Sequence, residues 1–233
     1  MFRYDIHVHT SETSKCGWVP AALQVSAYKR LGYDGICITD HLHNSYLATL
    51  DCREDWEKVV ERYMQGYRLA KRAGDECGLD VIFGVELRFP ENDSDYLIYG
   101  VDEAWLLKHP YVCAMDHRSF FERCGSEVLI IHAHPYRNCD EVFYDCVHGV
   151  EIANCNPRHA SRNELALRLA LENPKLIRLC GSDAHRVGDE GRAAVLLPQR
   201  VHDSFGFKAA IEAGGFELEC PEFSDIIKAG ERK

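Results

Sequence analysis

The sequence has no excess of positive charge. Its 27 Lys and Arg are outnumbered by 37 Asp and Glu, leaving a formal net charge of -10, whereas a protein that grips a long phosphate backbone presents a basic face. Long nucleic acid is therefore not expected as a partner. Small anionic substrates stay open, because bound cations can supply the missing charge. No apolar run approaches the ~18 residues that a membrane span needs, so no membrane partner is expected. Met1-Phe2-Arg3-Tyr4-Asp5 opens with no apolar stretch of the secretory kind, and the expected location is cytoplasmic. None of the 11 cysteines falls in a C-x-x-C pair, and Cys37 and Cys180 sit inside apolar runs. That pattern reads as reduced, buried thiols rather than a disulfide framework or a thiolate cluster. No low-complexity segment, linker or repeat divides the chain, so residues 1–233 read as a single domain. No oligomeric state is read from the sequence.

What the sequence does hold is an alternation of short apolar runs with helical patterns. Strands are expected at Tyr4–Val8, Gly35–Thr39, Val81–Val85, Tyr96–Val101, Val128–Ile131, Gly149–Ile152 and Leu176–Leu179, with a further short strand at Ala193–Leu197. Helices are expected from Pro20 to Leu31, where proline suits the first turn. Others are expected from about Arg53 to Gly74, where Trp56, Val59, Val60, Tyr63, Tyr67 and Ala70 share a face, and over Leu165–Leu171 and Phe205–Ala213. Continuous apolar strands alternating with helices imply a parallel sheet covered on both faces. A small α/β barrel is the preferred arrangement, with an open doubly wound sheet as the alternative.

The chemistry is legible in where the polar residues fall. The first strand ends in His7 and His9, the second in Asp40 and His41, the third in Glu86 and the fourth in Asp102. The fifth offers His132 and His134, the sixth Asn154, the seventh Asp183 and His185. In a parallel barrel all these ends share one face, where such folds keep their active sites. His-x-His on a strand directs both imidazoles to one side. Carboxylates mixed with imidazoles suit zinc, manganese or iron, and a carboxylate such as Glu86 can bridge two cations. Such a centre turns water into hydroxide near neutral pH and clamps both oxygens of a phosphoryl transfer. His43, His109, His148 and His202 read as surface or loop residues, and His132 as a residue facing away from the metals or supporting a ligand.

Taken in order, Asp5-Ile6-His7-Val8-His9-Thr10, Ile38-Thr39-Asp40-His41, Gly84-Val85-Glu86, Ala133-His134-Pro135 and Ser182-Asp183-Ala184-His185 resemble the motifs of the PHP (polymerase and histidinol phosphatase) superfamily. The resemblance implies a distorted (β/α)7 TIM-like barrel, two or three divalent metal ions, and phosphoesterase activity. It further implies that His7, His9, Glu86 and Asp183 hold a first metal. Glu86 would bridge to a second metal on His134, and His41 and His185 would belong to a third. Two positions depart from the family pattern. Asp102 stands where a histidine often serves the second metal, with Asp95 and His117 as weaker substitutes. Ser14, Lys15 and Cys16 stand where an Asp or His often serves the third, which makes Cys16 a candidate ligand.

Phosphate needs donors beside the metals, and Arg137, then Arg158, then Lys15 are the candidates, Arg137 as a bidentate clamp. Asp183 or His185 is expected to assist proton transfer. The leading expectation is a metal-dependent phosphatase that hydrolyses a small phosphorylated metabolite by a metal-activated hydroxide. A phosphodiesterase or short-oligonucleotide exonuclease is the alternative, and a non-catalytic metal-binding regulatory module the second alternative.

Overall fold

The computed structural model describes residues 1–220, and residues 221–233 of the expected domain lie outside it. In chain order the elements are β1 (Phe2–Val8), α1 (Ala21–Arg30), β2 (Gly35–Ile38), β3 (His41–Leu42), α2 (Asn44–Leu47), α3 (Trp56–Tyr63), α4 (Gln65–Cys77), β4 (Asp80–Phe83) and β5 (Val85–Arg88). There follow β6 (Asp95–Tyr99), α5 (Glu103–Lys108), α6 (His117–Cys124), β7 (Leu129–Ala133), β8 (Gly149–Asn154), α7 (Asn163–Glu172), β9 (Ile177–Gly181), β10 (Ala194–Leu197), α8 (Ser204–Ala213) and β11 (Glu217–Glu219). The helix expected over Arg53–Gly74 is two helices that meet at Met64, with the side chain of Asp55 capping the first by accepting from the Lys58 N–H.

The strands form two mixed sheets rich in parallel pairs, ordered β11-β10-β1-β2-β4 and β3-β5-β6-β7-β8-β9. The ladders are joined where β2 runs on into β3 and β4 into β5. There the Gly84 N–H donates to the Ile38 carbonyl at 2.9 Å and the Glu86 N–H to the Asp40 carbonyl at 3.1 Å. Across the other side, among the described residues, only an isolated bridge pairs Val8 with Ala184. The ladders therefore do not close into the (β/α)7 barrel expected from the sequence. Nor are they all parallel: β6 runs antiparallel to both β5 and β7, and β10 antiparallel to β1.

Both sheets nevertheless face one apolar interior. Tyr4 and Ile6 from β1, Ile82 from β4, Leu97 and Tyr99 from β6, Leu129 and Ile131 from β7 and Leu179 from β9 meet there, and Phe207 and Ile211 of α8 seal it from below. The outer faces are covered separately. Helices α1 and α4 pack on β2 through Val25, Tyr28, Ile36, Ile38 and Ala70. Helices α3, α5 and α6 cover β5 and β6, and α7 covers β8.

Candidate metal centre

The polar site is built where β1 loses its strict alternation. Tyr4 and Ile6 point into the shared core and Val8 points out. Yet the β1–β2 register shifts between Asp5 and Val8, and a bulge of this kind re-aims side chains. His7 and His9 are thereby both fully buried at the end of the interior. The displaced Asp5 is held apart, accepting from the Tyr28 hydroxyl at 2.7 Å and from the His7 and Ser182 N–H groups. Its carboxyl is pushed up to about 6, above all by burial.

Glu86, fully buried on β5, is the centre of the cluster. Its Oε1 lies 3.2 Å from His7 Nε2 and 3.2 Å from His134 Nε2, and its Oε2 lies 3.3 Å from His9 Nε2 and 2.8 Å from His41 Nδ1. Asp183 Oδ1 closes the other side, 3.4 Å from His7 Nε2, 3.3 Å from His9 Nε2 and 3.2 Å from His185 Nδ1. The backbone takes a left-handed conformation at His134 (φ 31°) and at Asp183 (φ 52°). Such a conformation is costly in a residue with a side chain and is held at functional sites by the surrounding structure.

The electrostatics follow from this crowding. Burial drives the His7 imidazole down, but Asp183, Glu86 and Glu151 outweigh it and hold it well above its ordinary value. Burial drives His9 down too, and His185 and His41 push it further, so it stays well below. Burial opposes ionisation of Glu86 and Asp183. The imidazoles around Glu86, and His7 with Arg137 beside Asp183, nevertheless keep both far below the carboxylate range.

His7 Nε2, His9 Nε2, His41 Nδ1 and Glu86 Oε2 are buried without a hydrogen bond of acceptable geometry. A neutral imidazole has one lone pair and one N–H. An imidazole nitrogen facing a carboxylate oxygen needs a proton or a cation between them. Divalent cations shared among these atoms would satisfy them, and N/O donor sets of this kind suit zinc, manganese or iron. The donors that lie close enough to share an ion are His7, His9 and Asp183; His7, Glu86 and His134; His41, Glu86 and Asp95; and His9, His41 and His185.

Supporting groups fix these donors. His7 Nδ1 lies 3.1 Å from Glu151 Oε1, the imidazole–carboxylate arrangement that orients a metal-binding histidine. Glu151 Oε2 accepts from the His134 N–H and from Asn154 Nδ2, each at 2.9 Å. A side chain at Gly181 would bring Cβ 2.6 Å from His7 Cβ and 2.7 Å from Glu151 Oε1, so the close approach requires glycine there. Asp40 is not among the donors. It ties down the following loop, accepting from the Thr10 N–H at 2.8 Å and from the Thr10 and Ser14 hydroxyls at 2.6 Å.

Asp102 is not brought to the cluster. It caps α5, accepting from the Trp105 N–H at 2.7 Å. The reason is strand direction: β6 runs antiparallel, so its beginning and not its end reaches the site. Asp95 is the carboxylate there, 3.8 Å from His134 Nε2 and held by both Arg88 nitrogens at 2.6 and 2.8 Å. His117 is likewise elsewhere, its Nε2 facing the Cys146 carbonyl at 3.0 Å. Asp95, the weaker substitute in the sequence, is thus the carboxylate at the cluster, while Glu151 escaped the sequence reading, its signal being a buried acid on an apolar strand.

A cavity of about 720 Å³ opens above the cluster, with His41, His134, Asp183 and His185 at its base and Lys15, Arg137 and Arg158 on its walls. Arg137 donates through Nη2 to Asp183 Oδ2 at 2.7 Å and to Asn154 Oδ1 at 2.6 Å. Both Arg158 terminal nitrogens bind Asp189, and Lys15 has no ion pair among the described residues. Cys16 also lines this cavity, its Sγ 3.2 Å from His185 Nε2. Burial resists its ionisation, but His185 and His41 pull the thiol down to about 6. His185, opposed by burial, is raised to about 10 by Asp183 and Cys16. A separate cavity of about 500 Å³ between α7, α8 and β11 is largely apolar and holds none of these groups.

The fold has solved relatives. The chain aligns with a two-domain protein from Bacteroides vulgatus containing a predicted PHP-like metal-dependent phosphoesterase, at TM-score 0.65 and 17% identity over 94% of this chain; the chain spans 64% of that protein. It aligns with PsfC from Pseudomonas syringae at TM-score 0.64 and 18% identity, covering 99% of this chain and 96% of the other. A protein from Bifidobacterium adolescentis assigned as a metal-dependent phosphoesterase aligns at TM-score 0.51 and 15% identity, covering 91% and 96%. No curated protein matches. The model of the PHP domain matches residues 5–195, a span that takes in every donor of the cluster, and the chain belongs to the PHP domain family.

Proposed function

We propose that this protein is a metal-dependent phosphatase that hydrolyses a small phosphorylated metabolite. The observation that carries the reading is the set of buried, hydrogen-bond-free donor atoms around Glu86, His7 Nε2, His9 Nε2 and His41 Nδ1, at the base of a cavity of metabolite size. Metal-dependent phosphoesterase is also what the Bacteroides and Bifidobacterium relatives are called. His7, His9, Glu86 and Asp183 would hold one cation. Glu86, His134 and Asp95 would hold a second, with Asp95 in place of the Asp102 of the sequence reading. His41 and His185 would serve a third. When bound, the cations supply Lewis acidity, lowering the pKa of water and neutralising the phosphoryl oxygens.

The chain's own residues do the rest. Arg137 keeps Asp183 Oδ2 fixed at 2.7 Å, which leaves Oδ1 turned toward the imidazoles. Asp183 or His185 would assist proton transfer; His185 Nδ1 faces the Asp183 carbonyl at 2.9 Å, so in the neutral ring the Nε2 lone pair is suited to a cation. Arg137, Arg158 and Lys15 line the walls and would meet the phosphate and its leaving group. Arg158 keeps Asp189 as its counter-ion, so its charge is pre-oriented rather than free.

The test is turnover of p-nitrophenyl phosphate against bis-p-nitrophenyl phosphate by the full chain reconstituted with manganese, zinc or iron. Faster monoester cleavage, lost on chelation, is the expected result. Diester preference would replace this reading by a phosphodiesterase or short-oligonucleotide exonuclease, and metal binding without turnover by a regulatory module.

A further inference from the structure

One rim of the site carries a donor of a different chemical kind. Cys16 is an exposed residue on the wall of the cavity, and its Sγ lies 3.2 Å from His185 Nε2. The other nitrogen of that ring faces the Asp183 backbone carbonyl at 2.9 Å. In the neutral ring this leaves the lone pair on Nε2. His41 lines the same cavity as Cys16 and His185. The nitrogens of His9, His41 and His185 lie within 4.8 Å of one another. His9 Nε2, fully buried, has no hydrogen bond.

The spacing suits a shared ion. With a metal–sulfur bond of about 2.3 Å and a metal–nitrogen bond of about 2.0 Å at a tetrahedral angle, sulfur and nitrogen stand about 3.5 Å apart. The 3.2 Å between Cys16 Sγ and His185 Nε2 needs only a few tenths of an ångström of adjustment to match that edge. The loop is anchored where the two donors must be held. The Trp18 N–H donates to the His185 carbonyl at 2.8 Å, the Gly17 N–H to the Ser14 carbonyl at 2.9 Å, and the Ser14 hydroxyl to Asp40 at 2.6 Å.

We propose that Cys16 is a thiolate ligand of the outer cation, completing a sulfur–nitrogen site with His41 and His185. The proposal deepens the phosphatase reading by giving this site a metal preference. A thiolate with imidazoles favours zinc or iron(II) and disfavours manganese and magnesium, which prefer oxygen donors. The inner donors, which are imidazole and carboxylate, keep no such bias. Binding displaces the thiol proton to solvent, one proton for each ion bound.

The experiment is a cobalt(II) titration of the metal-free full chain, read by absorption and beside it by alkylation. Wild type develops a sulfur-to-cobalt charge-transfer band in the near ultraviolet. The Cys16→Ser variant loses that band and keeps the visible bands of cobalt on nitrogen and oxygen donors. In parallel, iodoacetamide labels Cys16 in the metal-free protein and zinc suppresses that labelling. Cys77, exposed on α4, labels equally with and without zinc and serves as the internal control. The alkylation arm uses only wild-type protein, so a folding defect in the variant does not blunt it. If cobalt binds with visible bands but no charge-transfer band, or if zinc leaves Cys16 labelling unchanged, Cys16 is a thiol beside His185 and the inference falls while the phosphatase reading stands. If no cobalt binds at all, both fall.

Discussion

Two polar networks sit at opposite ends of β1, one reaching the surface through Arg200 and His202 and the other buried. At the start of the strand the Tyr4 hydroxyl donates to Asp80 at 2.9 Å and accepts from the Val201 N–H at 3.0 Å, and Asp80 also takes bonds from Arg200 at 2.6 Å and His202 at 2.9 Å. No buried atom of that network lacks a partner among the described residues. At the far end, His7, His9, His41 and Glu86 each leave one buried atom without a bond. Burying a polar atom unpaired costs about 1–3 kcal/mol. A chain that completes one network and leaves the other open has built the first for stability and the second for a guest.

Removing donors from the open network gives the largest expected effect. His9→Ala should lower kcat/KM on a phosphate monoester by on the order of 10²–10³ and reduce bound metal, while urea unfolding of the metal-free protein shifts by less than about 1 kcal/mol. A large stability loss with metal content intact would reverse the contrast.

Glu151→Gln comes next. It keeps the shape but weakens the hold on His7 Nδ1, and metal affinity should fall about 10–100-fold by isothermal titration, the usual cost of losing a group that orients a metal-binding histidine. Unchanged affinity would make Glu151 a filler of the interior rather than a part of the centre.

In the closed network, Asp80→Asn should cost about 1 kcal/mol in urea unfolding, because Arg200 and His202 are exposed and screened by solvent, and leave the metal count untouched. Its pH dependence has a definite sign. Burial raises the Asp80 carboxyl, but Arg200, His202 and Tyr4 outweigh it, so the folded value lies below the ordinary 3.8. The contribution is therefore complete above that value and is lost as pH falls below it through the folded value. Wild type and variant should converge in acid and differ at neutrality, and a gap that widens in acid would contradict this.

The smallest effect belongs to Asp102→Ala, which removes the α5 cap at about 1 kcal/mol and should leave every metal in place. Loss of a cation in this variant would return Asp102 to the site and displace Asp95.

That last pair shows how much was legible in the sequence. His7, His9, His41, Glu86, His134, Asp183 and His185 were each visible as a polar residue closing an apolar run, and the structure gathers all of them. The strand now numbered β6 was visible too, but apolar periodicity carries no direction. Read as parallel, the strand offered Asp102; running antiparallel, it presents Asp95. Antiparallel β6 and β10 likewise make the sheets mixed rather than all parallel, and the ladder is left open where only an isolated bridge joins Val8 to Ala184 among the described residues. Arg137, expected as a bidentate phosphate clamp, lines the cavity with its guanidinium bonded to Asp183 and Asn154. Helices α5 and α6 were missed, being short and marked mainly by caps at Asp102 and Asp116. Cys16 was a candidate only through its place after the His-x-His motif, and its contact with His185 spans 169 residues.

The measurement that bears most directly on the central claim is elemental analysis of the reconstituted full chain, with monoester turnover followed on the same sample. The account predicts two or more divalent cations per chain, activity that disappears with a chelator and returns with metal, and loss of both in His9→Ala. Fewer than one cation per chain and no turnover after manganese, zinc and iron have each been supplied would contradict it.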